Sequence, residues 1–216
     1  MAASRNSDVC MVKSVCFDLL TGLLDSWTLW NAVAGDAEDG ARWRAAYLQQ
    51  TYQTGAYRPY ETLVLEAAEL VGLPGDYATR LAERYAELRP WPEVGGVLRT
   101  LRRNGLSLAV VTNCSERLAA VAVHRIGVPI DVVVTAERAG FYKPHPRPYL
   151  LALEELGSTP TESLFAAGSA YDLIGSSNVG IPTYWHNRIG AAAPQDAPVP
   201  AAQRRNLRAL VAFARS

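Results

Sequence analysis

Residues 15–26 read VCFDLLTGLLDS, and they begin as a buried β-strand that ends at an acidic side chain. The stretch 12–18 is short, apolar and rich in β-branched residues, and it runs into turn residues at Thr21 and Gly22, which favours a strand over a helix. Asp18 closes this strand. Because an ionisable group at the end of a buried strand needs partners, Asp18 is the first candidate functional residue.

The rest of the chain predicts one long helical stretch followed by alternating helices and strands. From about residue 26 to residue 89 apolar residues recur at helical spacing. Later segments such as LSLAVVTN, DVVVT, SLFAAG and IPTYWHN read as strands separated by helices, which is the pattern of a parallel sheet covered on both faces. The sequence therefore predicts an α/β protein with a Rossmann-like parallel sheet core flanked by helices and an all-helical cap inserted after the first strand.

The same patterns predict the domain boundaries. We expect the α/β core to comprise residues 11–24 and 91–190, and the helical cap residues 25–90. The last segment, 191–216, begins with a Pro- and Ala-rich stretch and is interpreted as a linker followed by a helix packed on the core. Ligands of open parallel sheets bind beyond the carboxyl ends of the strands, so a cap that leaves the sheet just after Asp18 is placed to close over a ligand.

Composition restricts the partners that we expect. The 216 residues include 21 Lys and Arg against 21 Asp and Glu, so there is no basic surface typical of nucleic-acid binding, and small molecules are the expected partners. No stretch approaches the roughly 18 apolar residues of a membrane span, and we expect a cytoplasmic protein. The tryptophan- and tyrosine-rich cap leaves a homodimer possible, although its tryptophans favour cap packing or a pocket wall.

Three cysteines agree with a reducing compartment. Cys10, Cys16 and Cys114 form neither an even set nor a CxxC pair, so a disulfide framework is not predicted. Cys16 is interpreted as a core residue, whereas Cys114 is expected to be exposed at the start of a helix.

Three further polar motifs, VVTNCS, GFYKPHPRPY and AAGSAYD, follow Asp18 at the predicted edge of the sheet. In this order the four motifs resemble the haloacid dehalogenase-like hydrolase superfamily, from residue 12 to about residue 189. The resemblance implies that Asp18 is the nucleophile and that Thr112, Lys143 and Asp172 are the functional residues of the second, third and fourth motifs. Any one of these motifs is weak by itself, whereas four in the right order are strong evidence for the fold.

The position two residues after Asp18 separates two branches of that superfamily. Its phosphatases carry a second aspartate there as a proton donor, and a Gly-Asp pair in the fourth motif that helps to hold Mg²⁺. This chain has Leu20 and the pair Ala167 and Gly168 at those positions. Leucine neither donates a proton nor coordinates a hard cation. The chain is therefore more similar to the L-2-haloacid dehalogenases, which implies catalysis without a metal or other cofactor.

The resemblance to this branch implies the chemistry of halide displacement. Arg44, in RWRAAYL, matches the arginine that receives the departing halide. Halide leaves a saturated carbon as a stable anion, so attack by Asp18 needs no proton donor. Lys143 would keep Asp18 ionised against the charges of Asp172 and of an anionic substrate.

Other residues are expected to bind the substrate and the hydrolytic water. Thr112, Asn113 and the backbone N–H groups at the start of the helix SERLAAV are predicted to hold the substrate carboxylate, and Tyr149 matches a tyrosine of the branch. Asp172 and Ser169 are expected to orient water for hydrolysis of the ester intermediate. Ser169 replaces an asparagine of the dehalogenases, so hydrolysis of the ester is the step for which the match is weakest.

Two alternative functions stay open from the sequence. One is a phosphatase-like hydrolase of the same superfamily with a degraded metal site, and the other is a non-catalytic protein that binds a small anion. The site residues also have structural alternatives. Asp172 is a possible cap of the helix that starts near Ala170, and Arg44 is a possible member of a solvated helix face.

Overall fold

The computed structural model describes residues 11–215, so Cys10 and the predictions for residues 1–10 and 216 lie outside the described residues. Its centre is one six-stranded, fully parallel sheet with the order β3-β2-β1-β4-β5-β6. The prediction of an α/β protein with a parallel sheet is confirmed. The strands are β1 (Ser14–Phe17), β2 (Ser107–Thr112), β3 (Val132–Thr135), β4 (Ser163–Ala167), β5 (Thr183–His186) and β6 (Ala202–Arg204).

Strand β1 is buried on both faces because it lies in the middle of the sheet. Val15 and Phe17 contribute to the apolar cluster on one face, and Cys16, between them, contributes to the cluster on the other face. Strands β2 and β4 flank β1 in parallel register, with Phe17 beside Val110 and Ala166. The carboxyl ends of three neighbouring strands therefore meet where Asp18 follows β1.

Helices cover both faces of the sheet, as the alternating pattern predicts. In the helix that precedes β2, Val94, Val97, Leu98 and Leu101 are buried against the core, and Gly105 follows its end with a positive φ of 82°. The core helices are α5 (Val94–Arg103), α6 (Glu116–His124), α7 (Ala136–Ala139), α8 (Pro146–Leu156), α9 (Asp172–Asn178) and α10 (Leu210–Phe213).

The four longer helices between β1 and α5 are α1 (Ser26–Ala34), α2 (Ala37–Gln53), α3 (Tyr60–Leu70) and α4 (Asp76–Glu83). Inside this group Trp30 and Trp43 pack with ring centroids 4.5 Å apart, and both are buried, so these tryptophans are interior residues and not a surface for a partner. The two chain segments that join this group to the core pair with each other, because Asp25 N donates to Arg89 O.

The C-terminal segment contains a strand that the sequence does not predict. After the Pro- and Ala-rich stretch the chain adds β6 to the sheet beside β5, and then forms the short helix α10 of four residues. The sixth strand covers the edge of β5, whose backbone groups would otherwise lack partners. Leu207 and Leu210 are fully buried, as their spacing predicts.

No helix within residues 11–215 combines the length and the apolar character that crossing a membrane requires.

Candidate active site

Asp18 lies immediately after β1 and accepts four hydrogen bonds. Its Oδ2 atom accepts from Thr21 N at 3.1 Å, from Thr21 Oγ1 at 2.6 Å and from Gly22 N at 2.8 Å, because Asp18 caps a five-residue π-helical turn, Leu19–Leu23. Its Oδ1 atom accepts from Lys143 Nζ at 2.9 Å. Hydrogen bonds of this kind favour the charged carboxylate.

Lys143 bridges the two carboxylates of the site. Its Nζ atom lies 2.9 Å from Asp18 Oδ1 and 2.9 Å from Asp172 Oδ1, and all three side chains are buried. The backbone of Lys143 is held by Asn113, whose Oδ1 accepts from Lys143 N at 2.7 Å and whose Nδ2 donates to Lys143 O at 3.3 Å. The second and third motifs are therefore joined directly, and Asn113 fixes the lysine on which both carboxylates depend.

The protonation states of the three groups follow from burial and charge. Burial raises the pKa of Asp18, but the Lys143 ammonium and the donors of Thr21 outweigh this effect and hold the pKa below its ordinary value. Burial, together with the negative charge of Asp18, raises the pKa of Asp172 to about 6, although Lys143 and the Tyr149 hydroxyl act against this shift. Burial lowers the pKa of Lys143, whereas Asp172 and Asp18 raise it to a net value above the ordinary one. Asp18 is thus ionised at neutral pH, and Asp172 titrates at a higher pH than Asp18.

Tyr149 lies behind Asp172 and not on the wall of the cavity that contains the site. Its hydroxyl donates to Asp172 Oδ1 at 2.8 Å, and its ring is fully buried against Phe165. The absence of a side chain at Gly175 makes room for it, since a Cβ there would lie 2.3 Å from Tyr149 Oη. Tyr149 therefore contacts Asp172 and does not line the cavity, which corrects the prediction that it binds substrate.

Asp172 is not a helix cap. It is the first residue of α9, no side-chain capping bond is formed there, and its Oδ1 atom is occupied by Lys143 and Tyr149. Its Oδ2 atom is buried and has no hydrogen-bond partner among the described residues. Asp172 also lines the cavity, so this residue brings an unsatisfied acceptor to the site.

Arg44 extends from α2 into the same cavity. Its Nη1 atom donates to Trp27 O at 3.2 Å and to Asn31 Oδ1 at 3.1 Å, so helix α1 holds the guanidinium in place. Burial lowers its pKa to about 10, with Asp25 acting against this shift, and the group stays cationic at neutral pH. Arg44 does not belong to a solvated face.

The predicted substrate cradle is smaller than expected. Thr112 and Asn113 line the cavity, as does Ser169, whose Oγ accepts from Tyr171 N at 3.3 Å. The start of α6 was predicted to belong to this cradle, but no residue of α6 lines the cavity. The first amide of the helix, Glu116 N, donates instead to the carboxylate of Glu137 at 2.7 Å.

Cys114 is buried and not exposed as predicted. Its sulfur lies 3.7 Å from Tyr85 Oη, and burial raises the pKa of its thiol. Cys114, two residues before α6, contacts the 3₁₀ turn Tyr85–Glu87, which the sequence does not place there. Cys16 is a buried core residue, as predicted.

A cavity of about 390 Å³ joins these groups between the sheet edge and the inserted helices. Two carboxylates and two cations face it, so its formal charge is neutral before a ligand enters. Its floor carries the polar groups, and its walls are mainly apolar side chains of α1 and α2 and of residues 189–194. The floor residues are Asp18, Thr112, Asn113, Lys143, Ser169 and Asp172, and the helix residues include Trp27, Trp30, Arg44, Tyr47 and Leu48.

Sequence reasoning missed two contributors to the site. The amides of Thr21 and Gly22 donate to the Asp18 carboxylate. An aspartate before a short helical turn is a typical cap, so the sequence did carry a signal for this contact. Asn31 orients Arg44 across the contact between α1 and α2, and no local pattern signals a contact of that kind.

Comparison with known proteins agrees with this geometry. Residues 13–180 match the family model described as haloacid dehalogenase-like hydrolase. The (S)-2-haloacid dehalogenase of Pseudomonas sp. (strain YL) is 30% identical over 220 residues, which cover 93% of each chain. The haloacetate dehalogenase H-2 of Moraxella sp. (strain B) is 38% identical over 117 residues, and this match covers 53% of the present chain and 52% of the relative.

Among solved structures, the L-2-haloacid dehalogenase RSc1362 superposes with a TM-score of 0.85 at 26% identity, over 95% of this chain and 100% of that one. A haloacid dehalogenase-superfamily (HAD) phosphatase from Thermococcus onnurineus superposes with a lower TM-score of 0.62 at 22% identity, a likeness that concerns the fold alone. The match to the family model spans well over half of the sequence and includes Asp18, Thr112, Lys143 and Asp172. The chain belongs to the haloacid dehalogenase-like hydrolase family.

Proposed function

We propose that this protein is a metal-independent hydrolase of the 2-haloacid dehalogenase type, which converts a 2-haloalkanoic acid into a 2-hydroxy acid. The observation that carries the proposal is the buried Lys143 ammonium, 2.9 Å from both Asp18 and Asp172, at the floor of a cavity that also contains Arg44. A lysine in that position keeps a carboxylate nucleophile ionised without a metal.

In the first step Asp18 attacks the α-carbon of the substrate. We assign the attack to Oδ1, because Oδ2 already accepts three hydrogen bonds. A C–O bond forms, the carbon–halogen bond breaks, and the halide leaves with the bonding electrons. The Arg44 guanidinium, held by α1, stabilises the charge that builds up on the halogen.

In the second step water hydrolyses the ester at the carboxyl carbon of Asp18. We propose that Asp172 Oδ2, a buried acceptor with no partner among the described residues, takes the proton of that water, with Ser169 also on the cavity floor. The negative charge that develops on Asp18 Oδ2 is met by the N–H groups of Thr21 and Gly22. The bond between the carboxyl carbon and Oδ1 then breaks, and Oδ1 takes a proton from Asp172 and leaves as the hydroxyl oxygen of the 2-hydroxy acid. The water oxygen replaces Oδ1 in the restored Asp18 carboxylate, and the second water proton goes to solvent.

The substrate carboxylate is assigned to the neighbourhood of Thr112 and Asn113. Both residues line the cavity at the end of β2, next to Lys143. A substrate with one negative charge suits a formally neutral site better than a doubly charged phosphate monoester does, because unpaired buried charge is costly.

The phosphatase alternative fits the residues of the site poorly. Leu20 offers no oxygen ligand, and position 168, where a metal-binding aspartate of the fourth motif would lie, has no space for a side chain: a Cβ there would lie 2.3 Å from the carbonyl carbon of Thr21. Lys143 already places a positive charge beside Asp18 and Asp172, the charge that Mg²⁺ would otherwise supply. Within residues 11–215 no three His, Cys, Asp or Glu side chains are grouped so that they could hold a metal ion.

The test is halide release without added metal. With racemic 2-chloropropionate we expect steady chloride release that a chelator does not change, from the (S) enantiomer alone, and (R)-lactate as product, because one displacement at the α-carbon inverts its configuration. Intact-protein mass spectrometry would detect a stalled ester as a stoichiometric adduct. If neither chloride nor an adduct is detected across a panel of 2-haloacids, the proposal is refuted. A binding protein is then favoured, which ligands would stabilise thermally without turnover.

A pH dependence follows from Asp172. Its pKa is raised to about 6, so turnover at saturating substrate is expected to fall about tenfold per pH unit below pH 6 as Asp172 becomes protonated. The Tyr149 hydroxyl donates to the ionised form, so Tyr149→Phe is expected to move this acidic limb to higher pH. The measurement is kcat from pH 4.5 to 8. Tyr184→Phe is the control, because Tyr184 donates to Asn206 O away from the site. If the acidic limb lies at the same pH in the unmodified protein, in Tyr149→Phe and in Tyr184→Phe, the role of Asp172 is contradicted.

A cytoplasmic location and a homodimer stay predictions from the sequence. The buried positions of Trp30 and Trp43 remove part of the reason for a dimer surface on the cap.

A further inference from the structure

The cavity of the candidate active site is larger than a short haloacid requires. Its volume of about 390 Å³ lies in the range of about 300–1,000 Å³ that is typical of sites for drug-sized ligands. The proposed reaction needs only the floor of this cavity, where Asp18, Lys143 and Asp172 meet. The remaining space extends from the floor towards solvent and has no role in the two chemical steps.

The upper part of the cavity is lined by apolar and aromatic side chains. Leu20, Trp27 and Leu48 contribute to its walls, and the segment 189–194 closes its other side with Ile189 and small alanine side chains. Apart from Arg44, the charged lining residues are those at the floor. An uncharged, largely apolar ligand group therefore suits this region best.

The mouth of the cavity exposes large hydrophobic side chains. Tyr52 of α2 and Tyr171 of the core contact each other across the mouth with ring centroids 4.9 Å apart, and they are 39% and 37% exposed. Ile189, on the same cavity lining, is 63% exposed. Exposed apolar side chains that border a cavity mark a surface that a ligand covers.

From these observations we infer that the substrate carries a bulky apolar substituent, such as an aryl or branched alkyl group, on the carbon that bears the leaving group. The carboxylate and the reacting carbon lie at the floor, and the substituent fills the region between Leu48 and Ile189. This inference rests on the proposed function, since it names the class of acid on which that chemistry acts. Burial of the substituent contributes binding energy that a methyl group cannot supply.

The experiment compares two acids that differ only in this substituent. Chloride release is measured for 2-chloropropionate and for 2-chloro-3-phenylpropionate, and kcat/KM is expected to be at least about tenfold higher for the phenyl compound, which corresponds to about 1.4 kcal/mol. Equal or lower kcat/KM for the phenyl compound overturns the inference and leaves the dehalogenase function intact. Absence of chloride from both acids refutes the function itself, so the two failures are distinguishable.

A substitution in the upper cavity tests the location of the substituent. Ala193→Trp adds a large side chain to the wall, and the ratio of the two kcat/KM values is expected to fall about tenfold. Ala209→Trp is the matched control, because Ala209 is an exposed alanine outside the cavity, and it should leave the ratio unchanged. An unchanged ratio in a correctly folded Ala193→Trp protein, judged by thermal melting, overturns the placement of the substituent.

Discussion

Replacement of Asp18 by asparagine is expected to reduce halide release by a factor on the order of 10⁴ or more, because it removes the nucleophile on which both steps depend. The amide oxygen of asparagine can still accept hydrogen bonds from Thr21 N and Gly22 N, so the π-helical turn after β1 should persist. A large loss of kcat with little change in the melting temperature separates a chemical role from a structural one.

The control for this variant is Asp36→Asn. Asp36 is exposed, caps α2 through Asp39 N at 2.9 Å, and lies outside the cavity, and asparagine is an equally good helix cap. It should therefore retain full activity.

An isotope experiment shows whether water attacks the carboxyl carbon of Asp18 or the α-carbon of the substrate. In a single turnover in water enriched in oxygen-18, the hydroxyl oxygen of the product should come from Asp18 and the label should enter the protein. Label in the product and none in the protein would mean that water attacks the α-carbon directly.

The sheet was predictable because its signals are local. β1, β2, β4 and β5 are short apolar runs that end at turn residues, and each was found close to its predicted position. β6 was missed because Ala202–Arg204 has neither β-branched nor aromatic residues, and only the free edge of β5 makes it a strand.

The site was predictable to the extent that its residues end strands. Asp18 and Thr112 follow the rule that parallel strands place their carboxyl ends at one edge, so their proximity needed no tertiary information. Lys143 lies beyond α7, eight residues after β3 ends, and its place beside Asp18 was expected only from the resemblance of its motif. The roles of Tyr149 and Asn113 did need tertiary information. Tyr149 faces Asp172 because Gly175 leaves space for its ring, and Asn113 bonds the backbone of Lys143 across 30 residues of sequence.

Replacement of Lys143 by methionine is expected to reduce turnover at pH 7 by about 10³-fold or more, because Asp18 and Asp172 would then share a buried site without a cation. Burial and mutual repulsion raise carboxyl pKa values, so the pair would hold a proton, mainly on Asp172, whose pKa is already the higher of the two. The site would then lack the ionised base that accepts the proton of the hydrolytic water. Loss of one partner from a buried ion pair costs about 3–5 kcal/mol, so the free energy of unfolding should fall as well.

The stability of the Lys143→Met protein should depend on pH in a defined direction. With both carboxyl pKa values raised in the folded state, protonation favours folding, so the stability of the variant is retained at low pH and lost as pH rises through those values. Urea unfolding at pH 5 and pH 8 should therefore show a larger deficit from the unmodified protein at pH 8. Lys13→Met, which removes the other lysine of the chain from an exposed ion pair with Glu162, is the control and should change stability little at either pH. A Lys143→Met protein that matches this control in turnover and in stability at both pH values would show that charge balance at Asp18 does not depend on Lys143.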